Sequence, residues 1–218
     1  MRITCDRPWL VASFASPQRM VSWSMTRPGF VDATTVAWRE VGGEELAPDL
    51  DADAWFRRAL AERGLPDAVG MMTARDVEKH HRQTCLIEGV TADCLVTVGL
   101  RNGERIGRRA GVRPAMAAGT INMLCHVDVP LSDAALLEAS SIATQARTVA
   151  LVEAGYRREA VEGIVTGTGT DCIVMSAPPG ARRAAFAGMH TAVGEAVGAC
   201  VLAATRAAAT AWIEQQAG

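Results

Sequence analysis

Short apolar runs broken by turn residues fill the N-terminal third of the chain. Trp9 to Ala15, Met20 to Ser24 and the β-branched stretch Phe30 to Val41 predict strands, with Arg27-Pro28-Gly29 turning the chain between the last two. From Asp49 the pattern becomes helical. Asp49, Asp51 and Asp53 load its start, Arg57, Arg58 and Arg63 its end, and Gly64 and Pro66 stop it. Ala68 to Met72 and Thr84 to Glu88 return to strand character, and Cys94 to Leu100 is apolar enough for a central strand. Arg101 to Arg113 is a basic loop punctuated by glycines.

The second half alternates strand and helix. Thr120 to Val129 predicts a strand, and Ser132 caps a helix that runs to Ala154 and ends at Gly155. Gly163 to Gly169 is a Gly/Thr loop and Thr170 to Met175 a strand. Pro178-Pro179-Gly180 then breaks the chain before a long alanine-rich helix from Ala181 to Gln215. The sum is an α+β fold: one layered domain over residues 1–218, a mixed β-sheet with the long C-terminal helices packed on one face.

Composition narrows the function classes. At 218 residues, 49% hydrophobic and 21% charged, with a formal charge of −2, the chain is neither disordered nor a polyelectrolyte that clings to nucleic acid. Aromatic content of 5% speaks against base-stacking platforms. Lys79 is the only lysine, so lysine-base chemistry has a single candidate. The cysteines (Cys5, Cys85, Cys94, Cys125, Cys172, Cys200) form no C-x-x-C pair and read as reduced, mostly buried thiols. Asp6 and Arg7 interrupt any signal-like stretch, and the apolar segment Ala196 to Thr205 falls short of the ~20 residues a span needs. A cytoplasmic protein with no membrane or nucleic-acid partner is expected; a homo-oligomer is left open.

The most unusual segment is Thr166-Gly167-Thr168-Gly169-Thr170-Asp171. Its glycines free backbone N–H groups to turn toward a ligand and its threonines add hydroxyls, yet it is neither a P-loop nor a dinucleotide fingerprint. It reads either as an ordinary turn capped by Asp171 or as a functional loop. Asp171 shares a strand face with Ile173 and Met175, where a carboxylate is costly unless paired or used. In the strand from Thr120, the residues Thr120, Asn122, Leu124, His126 and Asp128 form a largely polar face opposite Ile121, Met123, Cys125 and Val127. In the helix after Ser132, the stripe Leu137, Ser141, Thr144, Gln145, Thr148 and Val152 has a polar centre, which suits either a hydrogen-bond network or a pocket wall. In the last helix His190 lies on an apolar stripe and Glu195 points away from it. His80 and His81 are adjacent and diverge, no metal-ligand spacing occurs, and no metal site is expected.

Several ordered motifs carry a resemblance: Ala118 to Asn122, Pro130 to Leu136, Ala143 to Thr148 and Thr166 to Asp171, with Val69 to Val77 and Thr97 to Asn102 upstream. Together they resemble the adenosylcobinamide amidohydrolase family. That resemblance implies hydrolysis of the amide joining aminopropanol to the corrin propionate of adenosylcobinamide, giving adenosylcobyric acid in cobalamin salvage. It also implies no cofactor, since cobalt arrives only within the corrinoid substrate. Amide hydrolysis needs a nucleophile, an oxyanion stabiliser and an acid for the leaving amine. The expected catalytic residues are Asp171 or His190 as base, Asn122 for the oxyanion and Thr170 as alternative nucleophile. Thr120, Gln145, Thr166, Gly167, Thr168, Gly169 and Glu195 are expected to bind substrate. The chain departs from the family pattern at Trp38, Glu138, Gln145 and Arg147, so a non-catalytic corrinoid binder and an amidohydrolase for another amide stand as alternatives.

Overall fold

In the computed structural model, residues 1–42, 45, 49–108, 119–159 and 161–217 are described. Strand β1 (Arg2–Asp6), which the apolar pattern did not announce, forms a hairpin with β2 (Trp9–Ser22). The runs at Trp9 and Met20 are one strand: β2 continues through both, and its pairing with β3 (Gly29–Glu40) slips between Ser13 and Gln18. The bend lets one edge of β2 serve two partners, β1 before the irregularity and a later strand after it.

That later strand is β10 (Cys172–Ala177). With β4 (Val69–Thr73), β5 (His81–Ile87), β6 (Val90–Val98) and β8 (Ile121–Val127) it completes the sheet, in the order β4-β3-β2-β10-β8-β6-β5. The β3–β4 and β8–β10 pairs are parallel and the remaining pairs antiparallel, so the sheet is mixed as expected. Two short strands, β7 (Gly103–Glu104) and β9 (Gly167–Thr168), form a separate ribbon.

Side-chain parity divides the interior. Ile121, Met123, Cys125 and Val127 of β8 and Ile173 and Met175 of β10 face a core shared with α2 (Asp133–Ala154) and α3 (Ala192–Ala217). The opposite face of the same strands is also covered. Leu124 and Val174 pack with Leu95 against Leu10, Met20, Val36, Trp38, Val69 and Met71, because the sheet folds over and its β2–β3–β4 half lies on the β10–β8–β6 half. The polar face of β8 is therefore internal, not solvated. On the far side of the β3–β4 half, α1 (Ala52–Glu62) seats Phe56 and Leu60 on Trp9, Ala37 and Ala68. Gly70 is required there: a Cβ would lie 2.8 Å from the Phe56 ring and 2.7 Å from Thr26 Oγ1.

Local capping rules place α2 well. Ser132 Oγ accepts from Ala135 N at 3.1 Å, and Gly155 closes the helix at φ 68°. The last helix starts at Ala192, not Ala181, because residues 178–191 are engaged elsewhere. Ala184 exchanges backbone hydrogen bonds with Pro130 and Ser132, Ala187 N donates to Glu138 Oε2 at 2.6 Å, and Thr191 Oγ1 receives Gly194 N at 3.0 Å. By length and composition α3 could cross a membrane, a longer apolar helix than Ala196 to Thr205 suggested. Its apolar side is spent internally, with Val197, Cys200, Val201, Ala204, Ala208 and Trp212 buried in the core beneath α2 and the sheet.

Candidate active site

β8 and β10 are parallel, so their N-terminal ends lie side by side, with Asn122 opposite Cys172. The turns entering both strands meet the end of β4 and the segment after β2. Gly99 N donates to Thr120 O at 2.9 Å, and a Cβ on Gly119 would come within 3.0 Å of Gly99 O, so these turns pack backbone on backbone. Thr120 Oγ1 donates to Thr170 O at 2.9 Å, which ties the two strand starts together. Asn122, only 2% exposed, donates from Nδ2 to Met72 O at 2.7 Å and so links β8 to β4 across the fold between the sheet halves.

Between the halves these residues enclose a cavity of about 380 Å³, lined among others by Trp23, Met72, Asn102, Thr120, Asn122 and Thr170. Cys172 is its only titratable lining side chain among the described residues. Burial pushes that thiol up to about 12, so it is neutral at ordinary pH. A second cleft, of about 630 Å³, opens on the helix side of Trp23 and is lined by Arg105, Thr144, Arg147, Thr148, Gly167 and Asp171. Trp23 borders both, with its indole N–H donated to Asp171 O.

Asp171 faces the helix layer as its parity with Ile173 and Met175 required, and it is fully engaged there. Its carboxylate pairs with Arg147 and accepts from Thr168 N at 3.0 Å, Thr168 Oγ1 and Ile121 N at 3.2 Å. Four donors fill a carboxylate's acceptor sites, so no lone pair remains to take a proton from water. Through these bonds Asp171 joins α2, β8 and the Gly/Thr segment. Burial lowers Arg147 from its usual value, but a guanidinium remains a cation.

The Gly/Thr segment is structured, not a free loop. Gly167 pairs with Glu104 in the β7–β9 ribbon, and Thr166 Oγ1 accepts from Ile106 N at 2.7 Å. A Cβ on Gly167 would sit 2.8 Å from Asp171 Oδ2, so glycine there admits the carboxylate. Thr168 serves Asp171, Gly169 borders the helix-side cleft, and Thr170 is exposed in the wall of the inter-sheet cavity.

Three expected residues are not brought to this place. His190 is exposed in the segment before α3, and Glu195 is exposed in the first turn of that helix. Neither lines the inter-sheet cavity or the helix-side cleft. The histidine's apolar stripe was drawn on a helix that does not extend to it. Gln145 faces solvent and donates to Ser141 Oγ at 3.2 Å; of the polar stripe on α2, only Thr144 and Thr148 reach the helix-side cleft. Sequence reasoning passed over Trp23 and Met72 as wall residues and Asn102 as a cavity side chain. Only the meeting of distant turns reveals them.

Among the described residues, no three His, Cys, Asp or Glu side chains are placed to hold a metal ion. The sequence profile of the adenosylcobinamide amidohydrolase family matches residues 1–217. The chain belongs to that family. A curated adenosylcobinamide amidohydrolase from Halobacterium salinarum is 34% identical over 90 residues, which are 41% of this chain and 35% of that protein. This family member thus matches about a third of that relative's length. Among solved structures, a Burkholderia sp. beta-aminopeptidase aligns over 94% of this chain and 78% of its own at 13% identity, with a TM-score of 0.45. The L-aminopeptidase D-Ala-esterase/amidase from Ochrobactrum anthropi, described as a variant of the Ntn hydrolase fold, aligns over 92% and 76% at 13% identity, with a TM-score of 0.37.

Proposed function

We propose that this adenosylcobinamide amidohydrolase family member hydrolyses the aminopropanol amide of adenosylcobinamide, or of a related corrinoid, in the cavity between the sheet halves. The products are adenosylcobyric acid and the free aminopropanol amine, and the setting is cobalamin salvage in the cytoplasm. The observation that carries the reading is the cavity itself: the buried side chains of Asn102, Thr120 and Asn122 and the exposed Thr170 hydroxyl surround a space at the low end of small-molecule pockets. Such a space suits an amide side arm, not a whole corrin. Trp23 (53% exposed) and Met25 (36%) offer apolar surface on its wall, where the corrin would rest.

In this reading water or the Thr170 hydroxyl adds to the acyl carbon and the nucleophile's own proton passes to the leaving nitrogen as the C–N bond breaks; where Thr170 attacks, water then hydrolyses the acyl-threonine ester and frees the acid. Asn122 Nδ2 spends one N–H on Met72 O and has a second for the developing oxyanion. Thr170 Oγ1 accepts from Asn102 Nδ2 at 3.4 Å, which leaves its own proton free. A second reading, a corrinoid binder without turnover, draws on the lack of any carboxylate, histidine or lysine among the described residues lining the cavity. Mixing purified protein with adenosylcobinamide separates the two. Release of aminopropanol supports hydrolysis; a corrinoid spectral shift without release supports the binder; neither signal rejects both.

A further inference from the structure

Asn102 stands at the cavity with an unused acceptor. It is 6% exposed and lines the space, and its Oδ1 is buried without a hydrogen-bond partner among the described residues. Its backbone is held in a closed turn: Gly103 N donates to Leu100 O at 2.9 Å, and a Cβ on Gly103 would fall 2.8 Å from Val165 Cγ1. Such an oxygen destabilises the empty protein, since a buried acceptor has lost water and gained nothing. The one bond this side chain makes, from Nδ2 to Thr170 Oγ1, is long at 3.4 Å. Rotation about the soft χ2 of asparagine therefore brings Oδ1 to a donor in the cavity at small cost.

We infer that Asn102 Oδ1 accepts the N–H of the scissile amide and thereby makes the site selective for amides over the corresponding esters; this rests on the proposed reading of the cavity. A secondary amide carries a single N–H on the side opposite its carbonyl. Holding that N–H on Asn102 fixes the amide plane and leaves the carbonyl oxygen for Asn122. An ester has oxygen at the same position and would set two acceptors against each other, so it is rejected for want of the hydrogen.

The test compares adenosylcobinamide with its ester analogue, in which oxygen replaces the scissile nitrogen, on wild type, N102L and N102D. The ratio of kcat/KM for amide over ester should fall about tenfold or more in N102L, and less in N102D, which keeps an acceptor. N102L should melt no lower than wild type, whereas a structural asparagine would melt lower when replaced. A second arm uses N-(2-hydroxypropyl)propionamide and 2-hydroxypropyl propionate as probes, titrated into ¹⁵N-labelled protein. The amide, not the ester, should shift the Asn102 side-chain resonances, identified by their loss in N102L. If both probes shift them alike, or the kinetic ratio is unchanged in N102L, the inference is overturned while the proposed hydrolysis stands. If adenosylcobinamide is not hydrolysed yet the amide probe binds selectively at Asn102, the proposed function falls and the inference holds.

Discussion

Arg147 and Asp171 form an ion pair whose side chains are 11% and 8% exposed, and that pair fixes the start of β10 to the middle of α2. Two desolvated charges tolerate each other because Thr168 and Ile121 complete the carboxylate's bonding. Removing one partner leaves a buried charge alone, at a cost of about 3–5 kcal/mol. Arg147→Met should therefore lower Tm sharply, and Asp171→Asn should do so too. The double variant Arg147→Met/Asp171→Asn should be less destabilised than the two single losses added together, as denaturant unfolding of all three would show. Once folded, Asp171→Asn should retain most of its turnover. A wild-type Tm combined with a loss of about a hundredfold or more in rate would return Asp171 to the role of general base.

Asn122 and Thr170 carry the opposite forecast. The second N–H of Asn122 Nδ2 is the best-placed buried donor in the cavity, and losing one oxyanion donor costs about 10²–10³ in kcat. Asn122→Ala also gives up the bond to Met72 O, so kcat must be read on the folded fraction, with near-ultraviolet circular dichroism as the check. Thr170→Val separates water from threonine as nucleophile. Turnover within about tenfold of wild type means water attacks directly, and collapse with the fold intact means that Thr170 does.

His190 and Glu195 should prove indifferent. Each is exposed and borders neither the inter-sheet cavity nor the helix-side cleft, so His190→Gln and Glu195→Gln should leave kcat/KM and Tm close to wild type, within about 0.5 kcal/mol for stability. A large loss of activity in either, with the fold unaltered, would mean that the reaction runs beside the start of α3.

What could be read from sequence was what local chemistry specifies. Ser132 and Gly155 bound α2 because a cap needs only its own helix, and the parity of Asp171 with Ile173 and Met175 named the layer it faces. What could not be read depended on partners far along the chain. Nothing near Ala181 says that Pro130 and Glu138 will hold residues 184–187 out of the helix, and nothing near Asp171 says that Arg147 will neutralise it. The polar face of β8 turns inward because the β2–β3–β4 half covers it, a packing made by residues far apart in the chain. The cavity follows from that fold, and Asn102 enters it from a loop whose pattern says only that it is basic.

Thiol reactivity should follow burial. Cys5 is exposed, whereas Cys94, Cys125, Cys172 and Cys200 are buried. Burial pushes Cys172 and Cys200 each up to about 12, and raises Cys94 and Cys125 well above the usual thiol value. Iodoacetamide on native protein should therefore label Cys5 first without quick loss of activity, as peptide mass mapping would report. Fast inactivation that tracks labelling of Cys172 would make that thiol, and not a hydroxyl or water, the attacking group.

The last prediction concerns pH. His126 sits on the internal face of β8, with its ring 4.8 Å from that of Phe14 and Nδ1 3.1 Å from Ser176 Oγ. Burial, helped by the Met1 ammonium and opposed by Asp93 and Asp128, lowers it to about 4. The unfolded chain takes up a proton near the ordinary histidine value of ~6.5, while the folded protein resists until about 4. Between those values the unfolded state binds more protons, so stability rises with pH across the window. The contribution is fully present above ~6.5 and is lost as pH falls toward about 4, a swing of roughly 3 kcal/mol. His81, also lowered chiefly by burial, acts in the same direction. Urea midpoints measured from pH 7.5 down to 4.5 should therefore fall steeply in wild type, and Phe14 offers a packed, apolar setting in which His126→Leu should flatten that fall. If His126→Leu shows the same slope as wild type, His126 is not the group that resists protonation, and the acid sensitivity belongs to His81 and the carboxylates.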